Sequence, residues 1–220
     1  LGLEDCVIYL LDEQREYLVQ RAAHGPKTPR AREILAPIRI RVGQGIVGTV
    51  AATLPPEQVV ARLGRIFTSF DALTERHGLE KIKTIGDAYM VVAGVPTSRE
   101  DHAEAMATMA LDMLREVERL REDLAMPELA VRIGLHSGPV VAGIIGTHKF
   151  AYDLWGDTVN MASRLESHGL PNHIQVSEPT WRALRERFHF EPRDEVEIKS
   201  LGRVKTWLLQ RPTSRDADIP

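Results

Sequence analysis

The stretch that decides the fold is "LEKIKTIGDAYMVVAGVP", residues 79–96. Its first half mixes β-branched and charged residues, and its second half is a nearly unbroken apolar run. Gly86-Asp87 between the halves is a turn signal, so the stretch predicts a β-hairpin. Turn chemistry accounts for Asp87, but a hairpin does not require Lys83. Because the two residues lie about 13 Å apart along a strand, we expect them to have different partners.

Composition limits the classes of protein that fit this chain. It has 220 residues, 43% of them apolar, which is enough for one domain or one domain and a fragment. Its 28 Lys+Arg and 31 Asp+Glu nearly cancel, which disfavours a nucleic-acid-binding protein. We expect no signal peptide, and because no apolar run approaches about 18 residues we expect no membrane span. With Cys6 as its single cysteine, the chain is expected to be a cytoplasmic protein without a disulfide framework.

Helical and strand patterns alternate through the rest of the chain. A long helix is predicted from Pro56, a second after a capping box at Ser98 and Asp101, and a third from Asp157 to Gly169. Strand patterns and hairpins fall between them. This order predicts an α+β fold with helices packed on a mostly antiparallel sheet.

Polar residues near the third helix are candidates for a site. Asn160 and Arg164 are four residues apart and share a helix face, although such a pair is most often simply solvated. Asp153 precedes a Trp-Gly turn, where an aspartate is an ordinary turn former. The glycines of "GPVVAGIIG" (138–146) match neither the dinucleotide nor the P-loop pattern, so close backbone packing is the default interpretation.

Three blocks together resemble a known family. "EKIKTIGDAYMVVAGVP", "VRIGLHSGPVVAGIIG" and "YDLWGDTVNMASRLES" are similar, in order and spacing, to signature blocks of the class III nucleotide cyclases. The resemblance runs from about Leu54 to Gln210. It implies a ferredoxin-like cyclase domain whose active sites lie between two catalytic domains. It also implies a reaction that converts ATP to cyclic AMP and pyrophosphate.

The resemblance implies roles for individual residues. Lys83 would read adenine together with Asp153 across the dimer, since guanylate-selective relatives typically carry glutamate and cysteine at these positions. Asp87 would be a ligand of a metal pair, Mg²⁺ or Mn²⁺, which are hard cations suited to carboxylate oxygens.

The remaining implied roles concern the sugar and the phosphates. Asn160 would orient the ribose, and Arg164 would meet the charge that develops on the α-phosphate. Lys199 would bind the terminal phosphates.

One departure from the family is large. Cyclase domains begin with a strand of the type F-x-D-I-x-G-F-T, which supplies a second metal-binding aspartate, and no acidic residue lies between Glu33 and Glu57 here. Residues 1–53 instead resemble the first half of a GAF sensor domain. We therefore predict three segments: a partial GAF-like segment (1–53), a cyclase domain without its first strand (54–210) and a disordered tail (211–220).

Two functions remain open at this point. The first is an adenylate cyclase regulated by the GAF-like segment, acting as a homodimer or paired with an intact cyclase domain. The alternative is a catalytically impaired regulatory or dimerisation module that binds nucleotide or an intact cyclase partner, because one carboxylate holds two metals less well than two. A diguanylate-cyclase-type fold is disfavoured, since the hairpin tip lacks a GGDEF-like sequence.

Overall fold

The computed structural model describes residues 6–11, 17–24, 39–41, 56–145, 151–198 and 202–211. The helices are α1 (Pro56–Arg76), α2 (His102–Asp123), α3 (Asp157–Ser167) and α4 (Glu178–Leu184). The strands are β1 (Cys6–Leu11), β2 (Tyr17–His24), β3 (Arg39–Arg41), β4 (Glu80–Ile85), β5 (Ala88–Val92), β6 (Ile133–Leu135), β7 (Val141–Ile145), β8 (Ala151–Trp155), β9 (Ile174–Ser177), β10 (Phe190–Ile198) and β11 (Gly202–Leu209). The predicted α+β class is confirmed.

The N-terminal strands form a separate antiparallel sheet in the order β1-β2-β3. The GAF-like assignment of 1–53 stays a prediction. The predicted boundary at Thr53, Lys199 and residues 212–220 lie outside the described residues.

A four-stranded sheet forms the centre of the C-terminal half, in the order β10-β11-β9-β6. β10, β11 and β9 pair antiparallel, whereas β6 runs parallel to β9. Every residue of β9 is buried, and Ile174 and Val176 belong to the hydrophobic core. The central strand is therefore covered on both faces.

Helices α1 and α2 supply most of the core. Ile66 and Phe70 of α1 and Met109, Val117 and Leu120 of α2 are each at most 2% exposed. No helix among the described residues has the length and apolar character needed to cross a bilayer.

The start of α2 differs from the sequence prediction. The helix begins at His102, and its N-cap residue Asp101 makes no side-chain capping bond. The carboxylate of Asp101 instead accepts two hydrogen bonds of 2.7 Å from the guanidinium of Arg99. The predicted capping box of Ser98 and Asp101 is therefore wrong, because a charged partner two residues away takes the carboxylate.

The hairpin predicted for residues 79–96 is confirmed as β4 and β5. Gly86 at its tip has φ of +63°, a backbone conformation that glycine adopts without strain. Since an isolated two-stranded hairpin is marginally stable, its orientation depends on what surrounds it. On one side it packs on α1, and on the other β4 lies against β8.

Candidate active site

The contact between β4 and β8 brings Lys83 and Asp153 together. The Lys83 ammonium donates a hydrogen bond of 2.5 Å to Oδ2 of Asp153. The other carboxylate oxygen, Oδ1, accepts a 2.8 Å bond from the backbone N–H of Leu154. The side chain of Asp153 is 13% exposed and that of Lys83 is 37% exposed, so the pair opens to solvent on the lysine side.

This pairing joins two distant segments of one chain. Lys83 meets Asp153 because β8 lies beside β4 in the same chain. Lys83 pairs with Asp153 and not with Asp87, which agrees with the strand spacing that keeps Lys83 and Asp87 apart. The joint role of Lys83 and Asp153 in recognising adenine across a dimer stays a prediction.

Asp87 lies at the hairpin tip, where it is half-buried between exposed neighbours. In the described part of the chain, no group of three or more His, Cys, Asp or Glu side chains is placed to hold a metal ion. A single carboxylate does not fit a two-metal site held by the protein alone, which needs oxygen ligands for both ions. The donor set around Asp87 is therefore incomplete within the described ranges.

Helix α3 carries the other candidate residues. Asn160 and Arg164 are both exposed, while Leu165 on a different face of the helix is fully buried. The guanidinium of Arg164 forms no ion pair with any residue that the structure describes. The helix therefore presents a positive charge to solvent that is available to an anionic ligand.

Helix α3 packs unusually close to the sheet at Gly134. A Cβ added at Gly134 of β6 would lie 2.4 Å from the backbone nitrogen of Glu166 and 2.5 Å from the carbonyl oxygen of Ala162. Only glycine leaves room for the helix backbone at this distance. Gly134 thus allows the short distance between α3 and the sheet.

The first turn of α3 is fixed by the loop that follows β6. The hydroxyl of Thr158 donates a 2.6 Å hydrogen bond to the carbonyl of Pro139. A Cβ at Gly138 would lie 2.7 Å from the Thr158 hydroxyl oxygen. The close packing expected for the glycine-rich run is therefore found at Gly138.

A cluster that the sequence did not indicate holds the hairpin against α1. The carboxylate of Asp71 accepts bonds of 2.6 and 2.8 Å from the Lys81 ammonium and one of 2.5 Å from the Tyr89 hydroxyl. Burial and the bond to Asp71 raise the pKa of Tyr89 well above its usual range. Because these partners are 10 and 18 residues apart, no helical or strand period relates them. The cluster orients the strand that carries Lys83.

A second missed feature is a chain of hydrogen bonds at the end of β6. Nδ1 of His136 lies 2.7 Å from the hydroxyl of Ser177, which lies 3.1 Å from that of Thr180. Burial lowers the pKa of the His136 imidazole. The loop after β6 is thereby tied to the start of α4.

The comparisons with known proteins decide the family. The model of the adenylate and guanylate cyclase catalytic domain matches residues 45–211. The chain belongs to this family. The match begins inside the segment 1–53 that the sequence assigns to a GAF-like sensor, so the boundary at 53 stays a prediction.

The relatives of this cyclase domain include both adenylate cyclases and guanylate cyclases. The chain is 43% identical over 159 residues to an adenylate cyclase of Mycobacterium bovis, covering 72% of the chain and 36% of that protein. It is 42% identical over 161 residues to the guanylate cyclase soluble subunit beta-2 of Rattus norvegicus, covering 73% of the chain and 24% of that protein. The chain thus spans about a third or less of these curated relatives.

A solved structure agrees with the fold. The guanylate cyclase domain of RhGC from Catenaria anguillulae, determined in complex with GTP, superposes with a TM-score of 0.70 at 32% identity. The superposition covers 76% of this chain and 91% of that one. Adenylate and guanylate cyclases resemble the chain to the same degree. Membership of the family therefore shows that the chain contains a nucleotide cyclase domain, but it does not distinguish ATP from GTP as the substrate.

Proposed function

We propose that this cyclase domain is of the adenylate type and converts ATP to cyclic AMP and pyrophosphate. The observation that carries the proposal is the pair of Lys83 and Asp153. The edge of adenine offers an amino group that donates and a ring nitrogen that accepts. A carboxylate and an ammonium side by side complement these two groups. The glutamate and cysteine of guanylate-selective relatives lack the ammonium donor.

The exposed face of α3 supports the same reaction. In the proposed reaction, the 3′-oxygen of ATP bonds to the α-phosphorus while the bond to the leaving pyrophosphate breaks, and negative charge grows on the α-phosphate oxygens. The guanidinium of Arg164, which has no ion-pair partner in the described part of the chain, would stabilise that charge with two parallel hydrogen bonds. Asn160, one turn earlier on the same face, has an amide suited to the ribose hydroxyls.

A regulatory module is the second candidate, and the position of Asp87 favours it. The described residues supply one carboxylate where the family uses a metal pair. A chain of this kind could pair with an intact cyclase domain and contribute Lys83, Asp153, Asn160 and Arg164 to a shared site.

Product formation distinguishes the two candidates. The purified chain is incubated with ATP and Mn²⁺, and cyclic AMP and pyrophosphate are quantified over a range of protein concentrations. Lys83→Glu is run beside the parent, with Lys205→Glu as a matched control because Lys205 is an exposed lysine on β11.

We expect product from the parent and the control, and at least about a tenfold loss in Lys83→Glu, since two carboxylates would then face each other. Absence of product from the parent at every concentration would contradict the enzyme proposal. Stimulation of an intact cyclase domain by that inactive parent would then support the regulatory module.

A further inference from the structure

Two side chains of the central sheet, Gln175 and Arg193, contact the C-terminal end of α3 through a chain of hydrogen bonds. Gln175 of β9 is fully buried, and its side-chain oxygen accepts a hydrogen bond from Nη1 of Arg193 on β10. The same Nη1 donates a 2.8 Å bond to the carbonyl of His168, the residue that caps α3. A buried amide thus fixes a guanidinium, and the guanidinium holds the helix end.

The contacts continue from His168 to Arg164. The backbone N–H of His168 donates a 3.0 Å bond to the carbonyl of Arg164, and Nδ1 of His168 lies 2.9 Å from the same oxygen. The hydroxyl of Ser167 donates to this oxygen at 3.2 Å. The path from Gln175 therefore ends on the backbone of the residue proposed to meet the α-phosphate.

Packing alone does not explain Gln175. Its amide nitrogen is buried and has no hydrogen-bond partner among the described residues. A half-satisfied buried amide costs stability, which an apolar side chain of the same size would avoid. Arg193 in turn donates to two neutral oxygens, and its charge lies at the C-terminal end of a helix, where a cation is favourable.

We propose that Gln175 and Arg193 are positioning residues that hold α3 through His168 and so fix the direction of Arg164. The inference rests on the proposed function for the role of Arg164. An error of about 1 Å in the placement of a catalytic group can lower a rate about a hundredfold. The loss of this hold is therefore expected to reduce turnover more than stability.

The test uses two substitutions at the same position. Gln175→Met removes the oxygen that Arg193 donates to, together with the unsatisfied amide nitrogen. Gln175→Glu keeps an acceptor for Arg193. Gln210→Met, directly after β11, is the control for a lost glutamine, since among the described residues the Gln210 side chain bonds only to Glu191 and to the carbonyl of Leu208. The readouts are kcat, the KM for ATP, the unfolding midpoint and hydrogen exchange of residues 157–168.

For Gln175→Met we expect an unfolding midpoint equal to or above that of the parent, because an unsatisfied buried amide is lost. We expect kcat to fall about tenfold with a KM change below about twofold, and exchange in residues 157–168 to be faster. Gln175→Glu should keep kcat within about threefold of the parent, since Arg193 retains its acceptor. Gln210→Met should match the parent in all readouts.

The result that overturns the inference is faster exchange of α3 in Gln175→Met with unchanged kcat. Unchanged exchange, or a loss of kcat that only parallels a fall in the midpoint, would overturn it equally. If the parent makes no cyclic AMP, the proposed function fails by itself. In that case, faster hydrogen exchange in Gln175→Met that is confined to residues 157–168 would support the contact of Gln175 and Arg193 with α3, and unchanged exchange would refute it.

Discussion

Gly134→Ala tests how closely α3 rests on β6. The added methyl group would meet three backbone atoms of the helix: the nitrogen of Glu166 at 2.4 Å, the carbonyl oxygen of Ala162 at 2.5 Å and the carbonyl carbon of Leu165 at 2.9 Å. Backbone atoms of a helix cannot rotate away as a side chain does. To reach an ordinary 3.4 Å contact with the nearest of them, the helix must retreat by about 1 Å.

This displacement has two expected costs. Overpacking of this kind destabilises by about 1–3 kcal/mol, and we expect the upper end because all three opposing atoms belong to the main chain. The same shift moves Arg164 with its helix, and a misplacement of about 1 Å can lower the rate about a hundredfold. Gly134→Ala should therefore lose both stability and turnover.

Chemical denaturation and steady-state kinetics measure these two effects. Gly64→Ala on α1 is the matched control, because a Cβ there meets nothing within 4 Å. Alanine is the better helix former, so the control should be more stable than the parent by about 0.5–1 kcal/mol. If the free energy of unfolding of Gly134→Ala lies within about 0.5 kcal/mol of that of the parent, α3 does not pack closely on β6.

Three further substitutions test single side chains. Arg164→Lys keeps the charge but loses the planar fork, so kcat should fall at least about tenfold with a smaller change in KM; equal kcat would remove Arg164 from the transition state. Burial lowers the pKa of His136, so below pH 6.5 the unfolded chain takes up a proton that the folded chain resists, and the free energy of unfolding falls as the pH falls. Between pH 7 and pH 5, His136→Asn should lose less of this free energy than the parent, and an equal loss would contradict the burial argument. Tyr89→Phe removes the bonds of this hydroxyl to Asp71 and Thr74 and should lower the free energy of unfolding by about 1 kcal/mol in denaturant titrations, whereas no change would show that these bonds do not stabilise the hairpin.

Local patterns predicted the elements that depend on local chemistry. Pro56 and Gly78 bracket α1, and Gly86 permits the hairpin turn, so both elements could be predicted from the sequence. The capping box failed because Asp101 has a competing charged partner in Arg99. Competition between a helix cap and a salt bridge is decided by side-chain geometry, which the spacing of residues does not contain.

The site itself depends on contacts between distant segments. Lys83 and Asp153 are 70 residues apart, and only the placement of β4 beside β8 brings them together. Each residue alone is explained by strand or turn chemistry, so the family resemblance was the only sequence signal that joined them.

Burial of β9 shows a second limit. The alternation of Ile174, Gln175 and Val176 is the pattern of a strand with one solvent face. Gln175 is nevertheless fully buried, because Arg193 and the end of α3 cover the face of the sheet on which its side chain lies. A polar residue in such a strand is informative only when the covering element is known.

The central claim is that Lys83 and Asp153 select adenine, and a change of selectivity tests it most directly. The ratio of kcat/KM for ATP to that for GTP is measured in the parent and in the double variant Lys83→Glu, Asp153→Cys, which has the side chains of guanylate-selective relatives. We predict a parent ratio well above one and a fall of at least about tenfold in the double variant. An active double variant with the parent's ratio would contradict the account.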